Sequence, residues 1–583
     1  MNTYAIDFET YYDKEVSITT LGMHHYLHHP DCDIYLVSIY SKEADFSYVG
    51  EPEGVDWSIL HGQRLVAHNA RFDRACFHRL QELGRIPAGI VPEWFCTADL
   101  SSSLSSGRSL KEACKTLLGR EISKDTRDSM KGLTWQEIKR RGMAQQVAEY
   151  CLRDAWLCYH IWTQYAELWS EQERRLSAHT RDMCDYGIRI DTVLLDDGRT
   201  KLQEVMDTAL EQMPWVENGN PPLSHKYLRE ECVKAGIPAP ASLAEDSEEC
   251  AVWEEQYGER FPWVAAMRDY RKANTLFKKL QSIKYRLRDD DTFSYGLKYF
   301  GAHTGRWSGE GGVNVQNLPR GEMFGVDLRR MIITRPGHVF IISDLGQIEQ
   351  RILSWLAGDN AMMKQLETGI SVYEAHARAT MGWSGGELKH ENPDLYRLAK
   401  ARVLGLGYGA GAQVFPVLAK AMAGLVVAPE DAQKIVCAFR ASNPLIVSLW
   451  SKLENAFASV RTGDDFTLTL PSGRKLYYRQ VARCPKGLSA EVQGRRYSFF
   501  GGKLAENLTS ATARDVLGDI LVRLDAAGYR VVMHVHDEVV IEVPEAQVET
   551  AKAHIHKIMT TTPDWLEGLP LTAETLTSPY YTK

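Results

Sequence analysis

A short apolar run, Val339 to Ile342, brings a carboxylate, Asp344, to the point where the chain leaves a buried strand. A helical pattern then runs from Gln347 through Glu349 and Arg351 to Leu356. An acid at a strand terminus can meet a metal or a phosphate without being enclosed on all sides. Taken alone, it is better read as a helix N-cap, because aspartate suits that position and carboxylates suit the positive end of a helix. A second acidic site almost two hundred residues downstream overturns that reading. Val531 to Val543 holds two β-branched runs around His536-Asp537-Glu538, the pattern of a hairpin with acids at its turn. A chain that uses both sites must bring two distant strands side by side.

At 583 residues the chain exceeds one ordinary core and favours about two to five domains. It is 44% apolar and 25% charged, as in soluble globular proteins. Its formal net charge of −8 does not advertise a nucleic-acid binder, but binding needs only a local basic track. Arg268 to Arg288 supplies one, with Asp269 the single acid among its cations and an apolar stripe through Leu276, Phe277, Leu280 and Ile283. It predicts an amphipathic helix that contacts phosphates, with binding that weakens as salt rises. Eleven scattered cysteines without a CxxC pair point to reduced thiols rather than a zinc site or disulfides. With no signal peptide and no apolar run long enough to span a membrane, the expected location is the cytoplasm.

The first 165 residues carry a second set of acids. Thr3 to Thr10 alternates as a strand and puts Asp7 and Glu9 on one face. Side by side, such acids repel and raise each other's pKa unless a cation intervenes. His68-Asn69-Ala70-Arg71-Phe72-Asp73 ends another apolar stretch and opens a helix. In a later helical pattern, Tyr150 and Asp154 stand four apart and share a face. Four carboxylates and a tyrosine suit two hard divalent cations that activate a water.

These three segments, DFET, HNARFD and YCLRD, resemble in order the motifs of 3′→5′ exonucleases with a ribonuclease-H-like fold, in the variant that carries tyrosine. The resemblance implies that Asp7, Glu9, Asp73 and Asp154 hold metals and that Tyr150 orients the attacking water. TGRWS, NVQNLPR, DLGQIEQR, RLAKARVLGLGYG and HDE, in that order, resemble the polymerase domain of family A DNA polymerases, in the compact phage-encoded form.

That second resemblance implies that Asp344 and Asp537 ligate two Mg²⁺, with Mn²⁺ able to substitute and Glu538 in support. Arg397 and Lys400, which share a helix face with Leu404 and Tyr408, would neutralise triphosphate charge, and Tyr408 would guard the template base. Glu349 would exclude a ribose 2′-hydroxyl, with Gln347 supporting that gate or reaching the minor groove. Thr304, Arg306, Gln316, Asn317 and His536 are the expected primer–template contacts. The chain departs from the family at several positions. Leu345 and Gly346 stand where a tyrosine and a serine are usual, and Arg397 lies three residues before Lys400 instead of four. Leu404 replaces an aromatic, Ser510 replaces a glutamine, and Tyr373 replaces a phosphate-contacting histidine.

The expected fold is multidomain, α/β and α+β. A ribonuclease-H-like exonuclease domain (1–168) precedes a right-hand polymerase domain (169–583), whose thumb is 169–299, palm 300–358 with 506–583, and fingers 359–505. The expected activity is DNA synthesis from deoxynucleoside triphosphates with proofreading, in the replication of a phage-like genome in a bacterial host cytoplasm. Primer–template DNA and dNTPs are the expected partners, and a processivity factor, helicase or primase are further candidates. A single-subunit RNA polymerase shares the palm logic, but the N-terminal acids and Glu349 count against it. Intact acids at both sites count against an inactive DNA-binding replication factor.

Overall fold

The computed structural model describes residues 1–123, 125–243, 247–484 and 487–582. Lys124, Ala244 to Asp246, Pro485, Lys486 and Lys583 fall within the expected segments but lie outside the described residues. No helix among the described residues is long and apolar enough to cross a membrane. All eleven cysteines are free thiols.

The N-terminal third is built on a five-stranded mixed sheet. Its central strand, Thr3–Thr10, runs antiparallel to Ile34–Ser41 and parallel to Arg64–Ala67. Phe46–Gly50 and Glu93–Cys96 form the two edges. The alternation read in the sequence holds: Ala5, Ile6 and Phe8 are buried while Asp7 and Glu9 keep some exposure. Helix Ala144–Tyr165 packs across this sheet on Val147, Cys151, Ala155 and Cys158, an apolar stripe of helical period.

The polar run Glu171 to Arg175 opens helix Glu171–Tyr186. Ser170 caps it by accepting from the Glu173 N–H. Gly187 ends it at φ 72, where a Cβ would meet the Phe293 backbone. Helices Thr192–Glu211 and Pro262–Lys284 then pack side by side. The second is the basic helix, but much of its charge is used internally. Arg271 pairs with Glu254 at 2.6 Å and Lys284 with Asp196 at 2.7 Å, while Arg286 and Arg288 donate to backbone carbonyls. Lys278 of this helix is exposed.

Beyond Phe300, a four-stranded antiparallel sheet is ordered Arg530–Val535, Glu538–Pro544, His338–Leu345, Ala573–Ser578. Strand His338–Leu345 thus lies beside the distant hairpin, as two cooperating acid sites require. The excursion between them is helical up to Ala458 and then forms a second sheet, 466–499, that the sequence reading lacked. Its signal was present: Phe466-Thr467-Leu468-Thr469 alternates and Pro471-Ser472-Gly473 is a turn tripeptide. The 26-residue helix Gly501–Ala526 returns the chain through the centre of the molecule.

Candidate active sites

Asp344 sits within its strand, not beyond it. It stands directly opposite Glu538 on one side and Glu574 on the other. Such pairs bring Cα atoms within about 4.5–5.5 Å, so three carboxylates form one row across the sheet. Like charges placed this way destabilise a sheet unless a cation joins them, and oxygen donors suit hard divalent ions. The helix-cap reading of Asp344 fails. The cap position belongs to Gln347, left-handed at φ 52 and with no side-chain cap bond. The turn His536-Asp537 closes on the same strand end, where the Leu345 N–H donates to the Asp537 carbonyl at 3.2 Å. His536 is also left-handed, at φ 57. Such a conformation costs a non-glycine residue about 1–2 kcal/mol, so packing imposes both bends.

Most of the residues expected to contact primer–template converge. Arg306, Gln316, His536 and Asp537 line one small cavity with Trp307 and Arg514. Asn317 is exposed next to Gln316, and Thr304 contributes through its backbone. Two arginines that the sequence did not single out hold the turn that presents Arg306. Arg474 Nη2 donates to the Thr304 carbonyl at 2.8 Å, and Arg514 Nε donates to the Gly305 carbonyl at 2.9 Å. Arg474 is paired with Asp515 at 2.7 Å. Fully buried Arg514 grips both carboxylate oxygens of Glu173 and lies 4.7 Å from the Trp307 ring centroid. Removing one partner of such a buried pair costs about 3–5 kcal/mol. Arg306 itself pairs with Glu349 at 2.5 Å.

The predicted nucleotide residues separate into two groups. Helix Pro393–Leu406 carries Arg397, Lys400 and Leu404; Arg397 is exposed and paired with Asp394. The helix ends at Leu406, so Tyr408 does not extend that face. It lies in the following turn, and burial, then the Glu349 carboxylate, pushes its phenol upward. Gln347 Oε1 accepts from the Val372 N–H at 2.7 Å, tying the Glu349 helix to the next layer. Tyr373, beside that contact, packs edge-on against Tyr396 with centroids 5.6 Å apart. The departures Leu345 and Gly346 have a steric reason. Leu345 is buried, and the Thr572 hydroxyl occupies the space that a Cβ on Gly346 would need.

Asp7, Glu9, Asp73, Tyr150 and Asp154 line a cavity of about 670 Å³ in the N-terminal third. The Phe8 N–H donates to Asp73 at 3.2 Å, and Tyr150 and Asp154 stand one turn apart on helix Ala144–Tyr165. Asn69, which opens the helix carrying Asp73, is a third left-handed non-glycine residue beside an acid. Burial, then Glu9, Asp73 and Asp154, pushes the Asp7 carboxyl well above the usual range. Burial and then Asp154 bring Glu9 to about 8; burial brings Asp73 to about 8 and also raises Asp154. Asp7, Glu9 and Cys151 place ligand atoms within 4.8 Å of one another. Burial raises the Cys151 thiol, so it stays protonated and is a poor hard-metal ligand. The oxygen donors fit a divalent cation, which would restore the charged forms.

A stability test follows. Glu9 holds its proton more tightly folded than unfolded, so its contribution is complete below pH 4.5 and is lost as pH rises through about 8. In metal-free protein at pH 9, Glu9→Gln is expected to raise stability by about 1–2 kcal/mol, discounted for solvent in the cavity. Melting temperature against pH checks this: the gain should vanish near pH 4 and shrink when Mg²⁺ is added.

The model of DNA polymerase family A matches residues 247–582, more than half of the chain. The DNA polymerase of Bacillus phage SP02 is 27% identical over 665 aligned positions, covering all of both chains. The thermostable DNA polymerase I of Thermus aquaticus is 26% identical over 266, which spans 44% of this chain and 28% of that one. The fold of the POL domain of Pol1 from M. smegmatis, in complex with DNA primer-template and dNTP, superposes with a TM-score of 0.70. It covers 99% of this chain and 95% of that one at 17% identity. The protein is therefore a DNA-binding nucleotidyltransferase of mixed α/β, multidomain build. More narrowly, the chain belongs to DNA polymerase family A, whose members use divalent metal ions.

Proposed function

We propose that this DNA polymerase extends a primed DNA template with deoxynucleoside triphosphates at the Asp344–Asp537 site and removes 3′-terminal nucleotides at the Asp7–Asp154 site. In this reading residues 1–168 are the exonuclease, 169–299 the thumb, 300–358 with 506–583 the palm, and 359–505 the fingers. The observation that carries it is the convergence of acids from two distant segments at one end of the two central strands, beside the cavity of Arg306, Gln316 and His536. The phage polymerase that aligns over its whole length supports it further.

Asp344 and Asp537 would hold the metal ions and Glu538 would stand in support. When bound, Mg²⁺ or Mn²⁺ supplies activation of the primer 3′-hydroxyl and charge neutralisation at the leaving pyrophosphate. Arg397 and Lys400 bind the triphosphate from the fingers side. Arg397 must exchange Asp394 for phosphate, a small cost for an exposed pair. Arg306, Gln316, Asn317 and His536 hold the primer–template, positioned by the carbonyl contacts around Thr304. Tyr408, whose backbone lies against Gly502 of helix Gly501–Ala526, would guard the template base. In the N-terminal cavity, Asp7, Glu9, Asp73 and Asp154 would hold two ions, and Tyr150 would orient the attacking water. A processivity factor, helicase or primase would complete the replication machinery.

Primer extension and single-strand degradation, assayed with Mg²⁺ on the same preparation, test this reading. A folded protein that performs neither reaction would remove it. Glu349 provides a finer test. Glu349→Ala should raise ribonucleotide incorporation relative to deoxyribonucleotide by about 10- to 200-fold, the range one lost steric contact commands. Because Glu349 also holds Arg306, the same variant should raise KM for primed DNA. Equal use of both sugars by the unmodified enzyme would contradict the gate.

A further inference from the structure

Glu538 is nearly inaccessible, although it adjoins Asp537 and faces Asp344. Its Oε1 accepts a hydrogen bond of 2.7 Å from the hydroxyl of Tyr581, more than forty residues away in sequence. Tyr581 is itself buried and fixed from two further directions. Its backbone N–H donates to the Ile332 carbonyl at 2.8 Å, next to the Ile333–Tyr580 bridge. The Arg329 guanidinium lies 5.1 Å from its ring centroid. Arg329 in turn donates to the Pro319 and Leu318 carbonyls, each at 3.1 Å, in the stretch that follows Gln316 and Asn317. One aromatic ring therefore touches the acid beside the reacting centre and the cation that shapes the DNA-contact segment.

We propose that Tyr581 is a positioning residue for nucleotide addition, fixing the Glu538 carboxylate and, through Arg329, its alignment with the Gln316–Asn317 segment. The physical reason is the cost of a loose acid at this place. A carboxylate beside Asp344 and Asp537 is repelled by both, and left to itself would rotate away from the row. A phenol O–H donated to one oxygen locks the rotamer and leaves the charge in place. A hydrogen bond to a charged acceptor is among the stronger ones a side chain can make. Glu538 and Tyr581 are both nearly inaccessible, so bulk water does not compete for the same oxygen. The Arg329 guanidinium over the ring adds a cation–π contact and resists sliding of the ring.

The proposal rests on the reading of Glu538 as part of the nucleotidyl-transfer site, and the test separates the two. Tyr581→Phe removes one oxygen and keeps the ring, so folding is expected to survive. Its single-turnover incorporation rate should fall about tenfold, with the Kd for primed DNA and single-strand degradation unchanged. Fluorescence titration of dNTP onto a complex with a dideoxy-terminated primer gives a readout without turnover, and its apparent Kd should rise severalfold. In a Glu538→Ala background the Tyr581→Phe change should have no further effect on either quantity, because Tyr581 acts through that carboxylate. If Glu538→Ala is impaired but Tyr581→Phe keeps the wild-type rate and dNTP affinity, the positioning role is overturned while the reading of the site stands. If Glu538→Ala itself keeps the wild-type rate, both are overturned. Equal losses from Tyr581→Phe with and without Glu538 would assign Tyr581 a purely structural part and overturn the proposal.

Discussion

Asp537→Ala is expected to lower primer extension by about 10³-fold or more while single-strand degradation continues at the wild-type rate. Metal-ligand carboxylates contribute several kcal/mol of transition-state stabilisation, and each 1.36 kcal/mol is about tenfold in rate. The turn that carries Asp537 is held by its backbone, through the Leu345 N–H and the left-handed His536, so the side chain can be removed without unfastening the hairpin. The two flanking strands are buried on Val531, Val532, Val539 and Val540 and keep their packing. Extension of a labelled primer, run beside degradation of a labelled single strand, measures both activities on one preparation. Wild-type extension by the variant would remove Asp537 from the site.

Asp7→Ala should give the reverse result: loss of 3′→5′ degradation by about 10³-fold with extension intact. Asp7 lies on the central strand, and burial, Glu9, Asp73 and Asp154 all push its carboxyl upward. Removing it takes away a metal ligand and relieves the repulsion, so the variant should fold at least as well as its parent. The N-terminal sheet and the Asp344 sheet share no strand, which is why the two activities should separate. A folded Asp7→Ala protein that lost both activities would contradict two independent sites.

Local periodicity made several parts of the molecule legible. A strand puts alternate residues on one face, so Asp7 and Glu9 were visible as a pair; a helix aligns residues four apart, so Tyr150 and Asp154 were as well. The 531–543 hairpin was readable because β-branched arms flank a polar turn. Periodicity failed at Tyr408. The spacing from Lys400 through Leu404 extends a helical face on paper, but the helix stops at Leu406. The chain there must turn under Trp450, whose Nε1 donates to the Gly407 carbonyl at 3.0 Å.

The sequence by itself marked which residues are candidates for the chemistry, because two-metal sites need carboxylates beside elements with readable periods. It also determined the family, through five motifs in order, and the existence of two acid sets in one chain. Tertiary structure alone decided how those residues are held. Arg514 and Glu173 are 341 positions apart, and neither has a local pattern that marks it for a buried pair. The left-handed backbone at Asn69, Gln347 and His536 is imposed by packing, since no glycine announces it. Tyr581 looks like any aromatic near a strand until the fold sets its hydroxyl against Glu538. Chemistry is legible in sequence because side-chain type fixes it. Positioning depends on contacts between segments far apart in the chain, and only the folded molecule brings those segments together.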